Sequence, residues 1–570
     1  MPRAGTREQP YTCRCMFLGA LDPSLAPRPL TLVGLLTLLS LPACGDDGGA
    51  STSDAASATT GASATTGASA TTSAASDGVT TSGESTVGSD ATSAPTSATS
   101  APTSSPTSSP TSSPTTGDTT SDTDGTGVDP WTQVPRVHPE DPHRLARGDA
   151  PWYPAGYYPG AAINMTGETY AGDYVLFGKT FVDAAELHGI DLFRIWINWG
   201  NLGKQGLQED NWDRHVLHPY LRPGPGVAFD GAPRLDLDQF NPEYFDLLSM
   251  WIDYTAARGI VMQVMLLDCW HVGYGLNFGY GERDYLRGPN NINGVDWSSE
   301  AEWLDVGGPV FARNKAFVEE VVATIGDRPN IIWETCNEKK QGDHSSPQAS
   351  AADVFHAAIA AAVHAKEDEL GFERHLVMPV DLPEHRTVAG HMTPTQNGQN
   401  QESIPEMHAR LAGEQFAWSV PLISDNDCCA GEPAAAFIRQ KAWAALVAGA
   451  HVDVFNGSLY QADVLANPNT ADGMRFVGYT RRFVEELEVD LVGMTPADGL
   501  VEGPAWAYAR PGEEFVVYLR EGMPVTVEQL PAPHVAWWFD PRTAEVSDAG
   551  QGPTFTPPGA GDWVLYARGR

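Results

Sequence analysis

Short apolar runs alternate with amphipathic helical patterns through the middle of this chain. Runs that favour β-strands lie at 190–198, 260–268, 331–338, 375–381, 420–425 and 451–456, with a weaker one at 386–392. Helical patterns separate them, as at 241–259, where Asn241 can cap and Pro242 fits the first turn. Strands that alternate with helices run parallel and are joined by helical crossovers, so the sequence predicts an α/β fold.

The number of repeats favours a closed barrel. About eight strand–helix repeats fit, which predicts a (β/α)8 TIM barrel over residues 129–490. A doubly wound open sheet is the alternative, but no Gly-rich phosphate loop follows the first strand. After the predicted barrel, short aromatic and β-branched segments separated by turn residues predict a small antiparallel β-sandwich over 491–570.

The N-terminal segment predicts export. The apolar run 30–44 is too short for a membrane span of about 20 residues and fits the core of a signal peptide, residues 1–44. It ends in Leu-Pro-Ala-Cys, which resembles a bacterial lipoprotein box with Cys44 as the lipidated residue. An ordinary cleaved secretory signal is the alternative. Residues 45–128 are rich in Ser, Thr, Ala and Pro and cannot bury a core, so they are predicted to form a disordered stalk.

Charge and cysteines limit the partners. The formal net charge is −37, from 72 acidic and 35 basic residues, which disfavours nucleic acid as a partner. Four cysteines lie in the predicted folded body, and they allow three disulfide pairings, among Cys269, Cys336, Cys428 and Cys429. No CxxC or HExxH spacing is present, so neither a metal site nor a cofactor is predicted.

Polar residues collect at the predicted carboxyl ends of the strands, where the active sites of such barrels lie. Among them, Asp268 ends the third strand, Glu338 ends the fourth, Asp425 and Asp427 end the seventh, and Asn198 ends the second. Carboxylates on opposite walls suit glycoside hydrolysis, because one protonates the leaving oxygen while the other attacks the anomeric carbon or activates water. A carbohydrate is therefore the predicted substrate.

The segment WETCNE, residues 333–338, resembles the strand-four motif of glycoside hydrolase clan A, the cellulase-like barrels of family 5 and their relatives. The resemblance implies Glu338 as acid/base and Asn337 as its partner at the sugar 2-hydroxyl. Arg194 resembles the strand-two arginine that supports the nucleophile. His271 and His391 resemble the histidines that follow strand three and lie near strand six.

The chain departs from that pattern at two places. Lys339 replaces the usual Pro, and strand seven offers Asp where the family has a nucleophilic Glu. Its D-x-D ending resembles a bacterial subgroup with a C-terminal domain labelled collagen-binding, which 493–519 and 539–543 also resemble; collagen binding rests on that label alone. Asp425 and Asp427 share one face of a continuing strand. Asp425, nearer the strand body, is the favoured nucleophile or base, and Asp427 is the alternative.

The predicted function is a cell-surface or secreted glycoside hydrolase that acts on a polysaccharide or glycan. A non-catalytic glycan- or matrix-binding protein on the same scaffold is the alternative, since the strand-seven Glu is missing. The two Asp residues could instead cap a turn, Arg194 could be a structural ion-pair partner, and the histidines could be satisfied residues of the barrel rim. A gap beyond about 10 Å between the Glu338 and Asp425 carboxyls would favour binding.

Overall fold

The fold is described from a computed structural model of the 570-residue chain. The chain divides into two units, residues 1–123 and 124–570, and every described residue lies in the second. The described residues are 132–159, 163, 174–198, 202, 217–269, 271–272, 280–337, 347–378, 403–417, 420–426, 434–454 and 468–570. The predicted signal peptide, Cys44 and the predicted stalk lie outside these residues, and the domain boundaries remain predictions.

A three-stranded antiparallel meander opens the described chain. Its strands, which we call the N-terminal meander, are β1 (Pro135–Val137), β2 (Leu145–Arg147) and β3 (Ala150–Trp152). Leu145 and Trp152 are buried in one apolar cluster with Leu192, Val261 and Ile332, which lie near the beginnings of strands of the central sheet. The N-terminal meander therefore covers the amino-terminal end of that sheet.

The central sheet is parallel throughout. Its strands are β4 (Ala155–Tyr157), β5 (Leu192–Trp196), β6 (Val261–Met265), β7 (Ile331–Glu334), β8 (Val377–Met378), β9 (Ile423–Asn426) and β10 (His451–Val454). They are arranged β8-β7-β6-β5-β4-β10-β9, as a curled seven-stranded half-barrel. Every residue of β5, β6 and β7 is buried, as expected of parallel strands covered on both faces. The predicted α/β class is confirmed, and the strand predicted at 386–392 lies outside the described residues.

Helices connect these strands. They are α1 (Tyr174–Leu187), α2 (Pro242–Ala256), α3 (Glu300–Trp303), α4 (Pro309–Ile325), α5 (Pro347–Leu370), α6 (Ile404–Ala417), α7 (Ala435–Val447) and α8 (Pro468–Glu486). Short 3-10 turns lie at Tyr280–Arg283 and Asp498–Leu500. Within the described part of the chain, no helix has both the length and the apolar character needed to cross a membrane.

Helix α2 shows how local sequence sets these elements. The Asn241 side chain accepts a hydrogen bond from the Glu243 amide, and Pro242 occupies the first turn, as predicted. Gly259 follows with φ +67°, a left-handed conformation that favours glycine. One face of α2 is apolar and buried, through Phe245, Leu248, Trp251 and Ile252, while Tyr254 is partly exposed.

The C-terminal region forms two antiparallel sheets, as its turn-separated strands predict. Their strands are β11 (Thr495–Pro496), β12 (Val501–Glu502), β13 (Ala505–Arg510), β14 (Glu514–Leu519), β15 (Val525–Val527), β16 (His534–Phe539), β17 (Val546–Asp548), β18 (Thr554–Phe555) and β19 (Trp563–Gly569). Six strands lie in the order β11-β13-β14-β19-β16-β17, and the other three in the order β12-β15-β18. Phe515, Val517 and Val525 belong to one apolar core between them.

The other face of the six-stranded sheet packs against the helices of the half-barrel. Trp443 of α7 and Phe483 of α8 share an apolar cluster with Tyr518 of β14. Beside them, the Arg439 guanidinium donates from Nε and Nη2 to the two carboxylate oxygens of Asp562, both at 2.8 Å, and the Tyr518 hydroxyl lies 3.1 Å from Asp562 Oδ2. The C-terminal sheets are therefore attached to the half-barrel by both apolar packing and a buried ion pair.

We predict that Asp562→Asn destabilises the chain by about 3–5 kcal/mol, because it leaves the buried Arg439 charge without its counter-ion. Unfolding in urea, followed by circular dichroism, measures the loss. Glu486→Gln is the matched control, since its Arg482 partner is about half exposed and such surface pairs contribute at most about 1 kcal/mol. Equal urea concentrations at the unfolding midpoints of the two variants would contradict a structural role for the buried pair.

Candidate active site

A buried ion pair lies inside the curled sheet, near the carboxyl ends of its strands. Arg194 of β5 donates to both carboxylate oxygens of Glu334 of β7, from Nε at 2.9 Å and from Nη2 at 2.8 Å. Gln263 of β6, between them in the sheet, donates to Glu334 Oε2 at 2.9 Å. Arg194 is 3% exposed and Glu334 is fully buried, so removing either partner would leave an uncompensated charge in the interior.

The same arginine orients the side chain of Asn337. Arg194 Nη2 also donates to Asn337 Oδ1 at 2.8 Å, and Asn337 Nδ2 donates to Asp268 Oδ1 at 3.1 Å. The backbone is held as well, because the Asn337 amide donates to the Leu267 carbonyl and the Asn337 carbonyl accepts from Cys269. Asn337 is thus fixed, side chain and backbone, where β7 ends.

Asp268 continues the chain of contacts to a buried histidine. His271 Nδ1 lies 3.2 Å from Asp268 Oδ2, and His271 Nε2 lies 3.3 Å from Asp284 Oδ2. Asp284 also accepts hydrogen bonds from the indole N–H groups of Trp297 and Trp303. Burial alone lowers the pKa of His271, but the two carboxylates outweigh it and raise the pKa to about 9. His271 is therefore an imidazolium at neutral pH.

These groups form one connected set, which we call the polar network: Asp284, His271, Asp268, Asn337, Arg194 and Glu334. Charges alternate in sign along it, so that each buried cation lies next to a carboxylate. Such satisfied networks hold their members in one geometry in a low-dielectric interior. The polar network consequently fixes the residue that immediately precedes Glu338 in the sequence.

A disulfide bond joins the same two strand ends. Cys269, directly after Asp268, is bonded to Cys336, directly before Asn337, with a Cα–Cα distance of 5.6 Å. Closing a loop between residues 67 apart stabilises a fold by about 4 kcal/mol in the chain-entropy account. Sequence left three pairings open, and this is the pairing present; Cys428 and Cys429 lie outside the described residues.

The remaining predicted site residues are placed as follows. Asn198 is buried and donates to the Tyr285 hydroxyl at 2.7 Å. The backbone of Asp425 lies in β9, opposite Asp453 of β10 in the parallel register. The other predicted residues lie outside the described part of the chain, namely Glu338, Asp427 and His391. The structure therefore brings Arg194, Asn337 and His271 together.

Two members of the polar network escaped the sequence analysis. Glu334 interrupts an apolar strand just as Arg194 does, and that shared feature was a signal for a buried pair of opposite charge. Asp284 had no such signal, because it lies in a connection and reaches His271 only through the tertiary fold. Among the described residues, no cluster of potential metal ligands is found.

No protein-family model matches this sequence, and neither does any curated protein. Solved structures match the fold. One is described as a glycoside hydrolase, with a TM-score of 0.51 and 14% identity, covering 77% of this chain and 98% of its own. A glycoside hydrolase family 5 protein from Bacteroides vulgatus has a TM-score of 0.52 and 14% identity, covering 77% and 94%. This chain therefore has the barrel-like fold found in glycoside hydrolase family 5.

We predict that the free energy of unfolding decreases at alkaline pH because His271 loses its proton. Its folded pKa of about 9 lies above its ordinary value of 6.5, so its contribution is complete below pH 6.5 and is lost as pH rises through 9. The difference between these two pKa values corresponds to about 3 kcal/mol of unfolding free energy. Urea unfolding at pH 6 and pH 9.5 should show this loss in the wild type and not in His271→Gln.

His188→Gln is the control for that experiment. Burial lowers the pKa of His188, so this histidine cannot supply an alkaline loss of stability. The variant should keep the wild-type decline between pH 6 and pH 9.5. An identical decline in His271→Gln would mean that His271 is not the titrating group.

Proposed function

We propose that this protein is a glycoside hydrolase that cleaves O-glycosidic bonds in a polysaccharide or glycan with two carboxylates. Glu338 is the general acid/base. Asp425 is the nucleophile or base, and Asp427 takes that role if Asp425 does not. Asn337 contacts the sugar, while Arg194, His271, His391 and Asn198 position groups at the site.

The observation that carries the proposal is the fixed position of Asn337. Its side-chain oxygen faces Arg194 and its amide nitrogen faces Asp268, so neither end of the amide is free to reorient. Catalysis by positioned groups needs a constellation that is already ordered before substrate binds. The residue next to Asn337 in the sequence is Glu338, the proposed acid/base.

The sheet topology supports Asp425 as the second carboxylate. Strands β7 and β9 belong to one parallel sheet, so their carboxyl ends lie at the same edge. In the order of the curled sheet, β7 is the second strand from one edge and β9 is the strand at the other edge. In a barrel, strands so far apart in the sheet stand on opposite walls of the mouth. The fold shared with family 5 glycoside hydrolases agrees with this assignment.

The test is Glu338→Gln, assayed with the wild type on a panel of plant and microbial glycans. Loss of the acid/base should lower kcat/KM by about 100-fold or more on any glycan that the wild type cleaves, because general acid–base catalysis contributes that much. Glu486→Gln, at an exposed side chain of α8, is the matched control and should keep full activity. Binding of a glycan without cleavage by the wild type would favour the binding-protein alternative, and full activity of Glu338→Gln would contradict the proposed acid/base.

We also propose that the chain is exported and anchored through a lipid on Cys44. The disulfide between Cys269 and Cys336 supports export, since such bonds persist in oxidising compartments. The short apolar run that ends at Cys44 supports the anchor.

The anchor is tested by Cys44→Ser in a bacterial host, followed by cell fractionation. The wild type should sediment with membranes and incorporate radiolabelled palmitate, and the variant should do neither. Cys13→Ser is the control because it removes a cysteine from the same segment and should leave both properties intact. Palmitate incorporation that persists in Cys44→Ser would contradict the assignment.

A further inference from the structure

The disulfide between Cys269 and Cys336 lies at the last backbone contact that the described residues show between β6 and β7. Beyond the paired residues of these strands, the two chains meet once more, at a single parallel bridge between Asp268 and Asn337. Two residues of each chain lie between the ladder of the sheet and this bridge. The bridge is therefore set apart from the ladder, at the end where paired strands open most easily.

Two hydrogen bonds make up the bridge, and the disulfide spans it. The Asn337 amide donates to the Leu267 carbonyl at 2.9 Å, and the Cys269 amide donates to the Asn337 carbonyl at 3.1 Å. Each such bond contributes only modestly to stability, because water competes for the same groups when the chains separate. The disulfide links the residue after Asp268 to the residue before Asn337, and this covalent link prevents the two chains from separating.

The side chain and the backbone of Asn337 are held by different groups. Arg194 and Asp268 hold the side-chain amide. The path of the backbone into Glu338, the next residue in the sequence, depends on the peptide units of Cys336 and Asn337, which the disulfide and the bridge hold. Because a misplacement of about 1 Å can cost 100-fold in rate, a small change in this path is enough to lower turnover.

Both cysteines of the disulfide are fully buried. Reduction of a disulfide requires a thiolate to attack one of its sulfur atoms, so the rate depends on access to that sulfur. A thiol in solution reaches this bond only when the chain around it opens. A test of the reduced state therefore has to begin with unfolded protein.

We propose that the Cys269–Cys336 disulfide is a positioning element of the hydrolase site and that turnover depends on its oxidised state. When the bond forms, the two thiols pass two protons and two electrons to the disulfide of a small oxidant, which is released as two thiols. Because such bonds form in oxidising compartments, the site is completed there. The inference rests on the proposed function and adds the redox state in which the site works.

Turnover of the full chain tests the proposal. The protein is reduced with dithiothreitol in urea, refolded in oxygen-free buffer with dithiothreitol, and assayed on a glycan that the oxidised wild type cleaves. Reduction should lower kcat by at least about 10-fold and leave KM nearly unchanged, because the misplaced group acts in the transition state. Refolding with oxidised glutathione should restore kcat. Equal kcat in the two states would overturn the proposal.

Variants assign the effect to this pair of cysteines. Cys269→Ala combined with Cys336→Ala should reproduce the low kcat without any reductant. Asp562→Asn is the matched control, because it is expected to lower the free energy of unfolding to a similar extent by breaking the ion pair with Arg439. Assayed where each protein is folded, it should keep the wild-type kcat. An equal loss of kcat in Asp562→Asn would mean that lower stability alone explains the effect, and would overturn the positioning role.

Hydrogen exchange separates this inference from the proposed function, because it needs no substrate. The amides at positions 269 and 337 donate in the bridge, so in the double variant they should exchange at least about 10-fold faster than in the wild type, while amides within β6 keep their protection. Unchanged exchange at both positions would overturn the inference. If the oxidised wild type cleaves no glycan, the proposed function fails, whereas the exchange result still decides whether the disulfide orders the strand end.

Discussion

The ion pair between Arg194 and Glu334 is the interaction on which the rest of the candidate site depends. Both side chains are buried in the interior of a parallel sheet, where either charge alone would be strongly destabilising. The bidentate geometry and the additional donor from Gln263 satisfy the Glu334 carboxylate. Because one guanidinium nitrogen also bonds Asn337, the orientation of that amide follows from the position of the pair.

From this pair the order extends outward through contacts of alternating charge. Asn337 is hydrogen-bonded to Asp268, Asp268 contacts His271, and His271 contacts Asp284. The disulfide joins the residue after Asp268 to the residue before Asn337. A covalent link and a hydrogen-bond network thus fix the same two strand ends by independent means. Such redundancy suits a site that must be ordered before substrate arrives, which is the condition that the proposed two-carboxylate chemistry sets.

Apolar packing, rather than a polar network, dominates away from the candidate site. There the N-terminal meander covers the apolar strand beginnings, and the C-terminal sheets pack on α7 and α8 through aromatic side chains and the Arg439–Asp562 pair. The C-terminal region is therefore a structural part of the unit that the described residues form, whatever else it binds.

Local patterns in the sequence determined the class of the fold. Alternating strand and helix periods predicted parallel strands with helical connections, the cap at Asn241 predicted the beginning of α2, and turn-separated aromatic strands predicted antiparallel sheets at the C-terminus. The position of Asn337 at the end of β7 also followed from the apolar run before it. Only the tertiary structure decided that Arg194 pairs with Glu334, that Cys269 bonds Cys336, and that Asp284 reaches His271. The reason is physical: periodicity and capping act over a few residues, whereas these contacts join residues 13 to 140 positions apart and exist only once the sheet has curled.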